Sequence, residues 1–319
     1  MFNTGINHLF QVIDNPVVYW LLNIISVLGT TYFLIFVLFS IFAGIDFRKG
    51  LLIANIFGWT ILFTFFLKNY IDYPRPLAVD STLKNYGSEQ VETDLSHLQP
   101  RHFFELFPDD LLSKTRESSI GRTGFPSGHT SSQIAVWVSL ALFFRKRWLW
   151  FFSVTFVLLT MISRLFLAQH FLGDILGGMA LGLLVVCILF NIIKRLHLDQ
   201  IEKMNRKQVI FLLMPVLLIP LHKYIPTYQA GSVFGFNIAL ITIIYLWGNP
   251  IIDSSLVKKA LNIFLYFIIF AAISVVSQRF SLTEGSIISL IYYTLTSFLC
   301  IMASTILSAR LKLISFKLF

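Results

Sequence analysis

From Val17 to Ile45 the chain runs 29 residues without a charged side chain, and further apolar stretches follow near 51–67, 128–144, 148–167, 175–193, 209–225, 233–247, 260–276 and 287–307. A helix of roughly 20 residues crosses the hydrocarbon core of a bilayer, so nine such runs predict nine membrane-spanning helices. The first run is longer than one crossing requires, which predicts either a tilted helix or a broken one. Residues 1–16 place Phe2, Ile6, Leu9, Phe10 and Ile13 at near-helical spacing. That stretch is too short and too polar to span, and it reads as an interfacial helix. It lacks the basic leader and small-residue cleavage site of a signal peptide.

Polar positions are confined to short connections, with one exception. Residues 68–127, between the second and third runs, form a long polar loop with Asp, Glu, Ser and Pro clusters, expected to be partly irregular and a candidate lid. Composition agrees with the pattern: of 319 residues, 56% are hydrophobic and 13% charged, which excludes a soluble domain of average usage. The predicted fold class is therefore an all-α polytopic membrane helix bundle. Its expected parts are an interfacial helix over 1–16, a core over 17–194, and a C-terminal four-helix extension over 195–319. Pro215 and Pro220 in the sixth run predict kinks. The GxxxG pairs Gly173/Gly177 and Gly178/Gly182 predict close helix packing. Cys187 and Cys300 both fall in apolar runs and read as small hydrophobes rather than a disulfide or metal pair.

The formal net charge of +9 raises nucleic acid as a partner, but the placement of the basic residues argues for membrane topology instead. Fifteen of the 25 Lys and Arg fall on one side of the alternating spans, among them Arg145, Lys146, Arg147, Lys194 and Arg195. Most of the others sit in the 68–127 loop beside nine of the 16 acidic residues. The N-terminus is thus expected outside and the C-terminus inside. Oligomeric state is not legible.

Three polar blocks carry candidate chemistry, and this topology puts all three on the outer face. The first, Lys68-Asn-Tyr-Ile-Asp-Tyr-Pro-Arg75-Pro76, places an ammonium and a guanidinium near one helix end, a pair suited to an oxyanion. The second, Phe125-Pro-Ser127-Gly128-His129-Thr130, opens an apolar run. There free backbone N–H groups favour an anion, a small residue admits it, and a histidine can move a proton. The third runs from Ser163-Arg164 to His170 and Asp174. On a helix that last pair would be one turn apart, so the carboxylate could fix one imidazole nitrogen and leave the other free as a nucleophile. Arg122 is a further candidate for a second phosphate or a headgroup, though a solvated loop residue explains it as well. His97 and His102 show no metal-ligand spacing.

In this order and spacing, K-x6-R-P, P-S-G-H and S-R-x5-H-x3-D resemble the type 2 phosphatidic acid phosphatase superfamily, with the similarity covering the second to fifth spans. The nine-span arrangement also resembles glucose-6-phosphatases. The resemblance implies that Lys68, Arg75, Arg164, Ser127 and the Gly128 and His129 backbone bind phosphate. It implies that His170 attacks phosphorus with Asp174 orienting it, while His129 protonates the leaving oxygen and then activates water. It further implies a metal-independent membrane phosphatase with no cofactor, acting on a lipid phosphate or diphosphate such as undecaprenyl diphosphate, phosphatidylglycerophosphate, phosphatidic acid or lipid A phosphates. A bacterial chain would lie in the inner membrane with its site facing the periplasm or exterior. A lipid phosphotransferase, a sugar-phosphate phosphatase and a non-enzymatic transporter or scaffold stand as alternatives. The related vanadium haloperoxidases are soluble and fit poorly.

Overall fold

The computed structural model describes residues 1–13, 15–86, 94–118, 123–199, 204–222, 225–277, 279–280 and 282–317. The chain is helical apart from one short antiparallel pair, β1 (Asn249–Ile252) with β2 (Ile314–Lys317), in the register Asn249 to Lys317. Six helices are long and apolar enough to cross a membrane, rising to seven when one bent pair counts as a single span. Apolar side chains such as Trp20, Phe151, Phe264 and Ile288 stand exposed along these helices. In water such surfaces would be costly, and in hydrocarbon they are the solvent-matched face. The protein is an integral membrane protein.

The other three apolar runs form shorter or broken helices. The run from Val17 to Ile45 is broken: α2 (Pro16–Leu28) and α3 (Thr31–Gly44) meet at a bend of 56°. Gly29 caps α2 there, donating to Ile25 O and Ser26 O. The run at 128–144 forms α7 (Gly128–Phe144), with 17 residues. The run at 209–225 divides into α10 (Arg206–Leu213) and a 3-10 turn over Met214–Leu221, because Pro215 and Pro220 supply no N–H to an α-helical ladder.

The chain divides into two compact units. The first comprises Met1–Leu34 and Phe63–Val186, the second Ile35–Leu62 and Cys187–Phe319. In the second unit α11 (Thr227–Trp247) packs on α13 (Ile287–Arg310), which in turn contacts α12 (Leu256–Ser277). Polar groups within it pair with each other: Asn237 accepts from Asn55 and donates to Leu212 O, and Asn262 donates to Ala43 O. Unpaired, each would cost several kcal/mol in hydrocarbon.

The first unit holds the three polar blocks. Its helices are α1 (Gly5–Gln11), α2, the end of α4 (Phe47–Ile71), α5 (Pro76–Val79), α6 (Asp109–Ser118), α7, α8 (Arg147–Phe166) and the start of α9 (Leu172–Arg195). An aromatic cluster of Phe2, Tyr73, Phe107, Phe125 and Phe171 joins the segment ahead of α1, the 68–127 segment and the residue just before α9. The 68–127 segment is therefore docked onto this unit where it is described.

Candidate active site

Each block is positioned by a local device that its sequence dictates. Ser127 is the N-cap of α7, with extended backbone and a side-chain oxygen accepting from Thr130 N–H. The Gly128 and His129 N–H groups occupy the first positions of the helix, where no intrahelical acceptor exists. Ser127 N–H donates to Asp174 O at 2.8 Å, which ties the start of α7 directly to the start of α9.

Glycine makes that contact possible. A Cβ at Gly178 would sit 2.5 Å from Ser127 O, one at Gly177 would meet the Phe125 ring at 2.3 Å, and one at Gly182 would meet Ser131 O at 3.0 Å. The GxxxG pairs thus pack as their spacing predicts, and the packing brings the Ser-Gly-His block against the His/Asp block.

His170 and Asp174 meet, with Nδ1 and Oδ2 3.3 Å apart, and both are buried. One detail of the sequence reading is corrected. His170 does not lie on a helix with Asp174; it sits in the connection between α8 and α9, ahead of Leu172 where α9 begins. The Asp174 carboxylate explains the difference, because it accepts Phe171 N–H at 3.0 Å and so replaces the helical ladder at that point. The consequence for the imidazole is as expected: Nδ1 faces the carboxylate and Nε2 is left to face elsewhere. Burial first, then the charges of Lys68, Arg164 and Arg75 with His129, hold the His170 imidazole well below its usual protonation range. The ring is therefore neutral, with a nitrogen lone pair available.

The cations converge on the same place. The Lys68 ammonium, on the last turn of α4, is hydrogen-bonded to Thr123 O and to Gly124 O at 3.2 Å, just before the Ser-Gly-His block. A Cβ at Gly128 would lie 3.7 Å from Lys68 Cε. Arg164, on the last turn of α8, is braced by Ser26 of α2, with Nη1 to Oγ at 2.6 Å. Its neighbour Ser163 donates to Leu22 O at 2.7 Å. Arg75 follows α4 and reaches the Gln169 carboxamide, Nη1 to Oε1 at 3.0 Å. His129 has room because position 29 is glycine; a Cβ there would press on its ring at 3.2 Å. All eight sequence-predicted residues, Lys68, Arg75, Ser127, Gly128, His129, Arg164, His170 and Asp174, belong to the first unit. Arg122 lies outside the described residues, and His97 and His102 are exposed.

Two residues of the site escaped the sequence reading. Gln169 Oε1 accepts from Arg75 and, at 3.4 Å, from Arg164 Nη2, so a single uncharged oxygen spans two guanidinium groups. Its signal was a lone polar residue between Leu165 and His170. Ser26, the brace for Arg164, was one of several hydroxyls in an apolar run, with nothing in the sequence to single it out. An anion with several oxygens could take the place of the Gln169 oxygen, engage both guanidiniums and Lys68, and present its central atom to an imidazole nitrogen.

Residues 49–198 match the PAP2 superfamily. The lipid A 4'-phosphatase of Bacteroides thetaiotaomicron is 37% identical over 62 residues, 19% of this chain and 28% of that protein. Phosphatidylglycerophosphatase B of Bacillus subtilis is 27% identical over 196 residues, 57% of this chain and 76% of its own. Undecaprenyl-diphosphatase BcrC of Bacillus subtilis is 30% identical over 97 residues, 30% of this chain and 47% of its own. The first and third relatives are thus matched over less than half of their length. No solved structure matches.

Proposed function

We propose that this protein, whose residues 49–198 match the PAP2 superfamily, is a membrane phosphatase that hydrolyses a lipid phosphate or diphosphate through a phosphohistidine intermediate. The observation that carries the reading is the buried His170–Asp174 pair at 3.3 Å, whose geometry reserves Nε2 for attack while three cations bear on the same imidazole.

Lys68, Arg75 and Arg164 bind the non-bridging phosphate oxygens, with the Ser127 hydroxyl and the Gly128 and His129 N–H groups completing the cradle. Nε2 of His170 attacks phosphorus in line, forming an N–P bond as the P–O bond to the leaving group breaks. Asp174 stabilises the imidazolium through Nδ1. His129 gives its proton to the leaving oxygen; the bound phosphate supplies the negative charge that favours its protonated form. His129, now neutral, takes a proton from water as the water oxygen attacks phosphorus, the N–P bond breaks and its electron pair returns to Nε2. Positioning and charge neutralisation supply the main share of the rate, as phosphoryl transfer requires.

A lipid substrate is favoured because the three blocks sit at helix ends, where a headgroup could meet them while its acyl chain stays in the bilayer, and because the relatives are named for phosphatidylglycerophosphate, undecaprenyl diphosphate and lipid A. The distribution of basic residues supports nine crossings with the site on the outer face. The core over 17–194 would carry the reaction, and 195–319 would form a membrane extension. The test is phosphate release from a panel of lipid and sugar phosphates in detergent with EDTA. Release that persists in EDTA is expected for the lipid phosphates. Dependence on added divalent metal contradicts the mechanism, preference for short sugar phosphates contradicts the substrate class, and transfer of label to a second lipid identifies a phosphotransferase.

A further inference from the structure

We propose that Asn7 is a positioning residue for His170, acting on the nucleophile-bearing loop from a helix outside the three motif blocks. The inference rests on the phosphatase reading above.

Helix α8 ends at Phe166 and, like any helix, leaves its last carbonyls without intrahelical donors. The chain must then turn within five residues to deliver His170 to the start of α9. Ala168 makes that turn with a φ of 50°, a left-handed conformation that is unfavourable for a non-glycine residue. Such a conformation persists only where the surroundings over-determine it.

Helix α1 supplies the missing constraint. Asn7 Nδ2 donates to Leu165 O at 2.9 Å and to His170 O at 3.1 Å, bridging from the last turn of α8 to the nucleophile itself. Gln11, one turn later on the same face, donates to Phe166 O at 3.0 Å and exchanges hydrogen bonds with the Lys84 backbone. Asn7 is fully buried, and its Oδ1 has no hydrogen-bond partner among the described residues. A buried orphan acceptor destabilises the fold, so retaining the amide indicates that its two donors are what the position requires.

The helix is inverted relative to a soluble one: Asn7 and Gln11 face the protein, while Leu9, Val12 and Ile13 are exposed. Its register is fixed by Phe2, whose ring occupies the space a Cβ on Gly173 would fill at 2.5 Å. His170 is therefore held from two directions, by its carbonyl from Asn7 and by its ring from Asp174.

The test compares Asn7→Ala and the isosteric Asn7→Asp, which replaces donors with acceptors, against Gln11→Ala, which removes a cap on the same helix face without touching His170. Steady-state kinetics on a lipid phosphate and thermal melting in detergent are read together. A displacement near 1 Å of the attacking atom costs on the order of 100-fold. Both Asn7 variants should lose about that factor in kcat with KM held within about twofold, because the phosphate-binding cations are untouched. Asn7→Ser, keeping one donor, should fall between. Gln11→Ala should lower Tm comparably while kcat stays within about threefold. A kcat loss in Asn7→Ala no larger than in Gln11→Ala, at matched Tm loss, overturns the positioning role. Full activity in Asn7→Asp would also overturn it, since shape alone would then suffice. A wild-type protein that releases no phosphate defeats instead the reading of the site on which the inference rests.

Discussion

Gly178→Ala adds one methyl group four residues past Asp174, and the structure fixes what that methyl meets. Its carbon would lie 2.5 Å from Ser127 O and 3.2 Å from Ser127 N and C, all backbone atoms of the α7 N-cap. No side chain can rotate away to relieve this contact. Restoring an ordinary separation of about 3.4 Å requires the start of α7 to move about 0.9 Å from α9. The hydrogen bond from Ser127 N–H to Asp174 O, 2.8 Å long, would stretch by a similar amount, losing about 1 kcal/mol of stability. The larger effect is on chemistry, because Ser127, Gly128 and His129 move relative to His170. A misplacement of that size costs roughly 100-fold in kcat/KM. Phosphate release would be compared with two controls. Gly182→Ala meets its nearest atoms at 3.0 Å and should lose about tenfold or less, whereas Gly5→Ala meets nothing closer than 3.5 Å and should leave activity unchanged. Wild-type kcat/KM in a folded Gly178→Ala protein would refute the argument that the small residues of α9 set the distance between the two histidine blocks.

Gln169→Glu places a carboxylate between Arg75 and Arg164, where the carboxamide oxygen now lies 3.0 and 3.4 Å from their nitrogens. Charge-assisted pairing to both should raise KM and the inhibition constant for vanadate by roughly tenfold or more, whereas Gln169→Ala should bind vanadate at least as tightly as wild type. Equal inhibition across the three proteins would exclude a shared site. Asp80 provides a pH prediction away from the chemistry: burial alone pushes its carboxyl up, but hydrogen bonds from Thr4, Thr82 and His8 outweigh this and hold it at about 2 against an ordinary 3.8. Ionised Asp80 therefore favours the fold above about pH 4 by about 2 kcal/mol, and that contribution is lost as pH falls from about 4 to 2. Asp80→Asn should lower Tm at neutral pH and flatten its decline in acid; an unchanged acid slope would contradict the assignment.

The parts of the site legible in the sequence were those whose chemistry is carried by residue type and local spacing. Lys68, Arg75, Arg164, His129, His170 and Asp174 stand out because ionisable groups at the ends of apolar runs are costly and rarely idle. Ser127 was legible as a helix cap. Gln169, Ser26, Asn7 and Gln11 were not, for they act through neutral hydrogen bonds to partners as far as 163 positions away in the chain. Periodicity registered α1 as amphipathic, but could not tell that its polar face is the buried one. Length separated the long spans from connections and left the first run open between a tilted and a broken helix, while the prolines of the sixth run predicted kinks. Gly29 ends α2 inside an unbroken apolar run, and Pro215 and Pro220 turn another into a 3-10 segment. The placement of His170 before α9 rather than within it depends on one side-chain hydrogen bond, from Phe171 N–H to Asp174. Residue spacing carries no record of such a bond.

The central claim is that Nε2 of His170 becomes bonded to phosphorus. The most direct measurement is rapid quench of the protein with a radiolabelled lipid phosphate or diphosphate, followed by denaturing separation and peptide mapping. The account predicts an acid-labile, base-stable label on the peptide containing His170, forming before phosphate is released and absent from His170→Ala. Phosphate release by wild type with no labelled intermediate, or label that persists in His170→Ala, would contradict it.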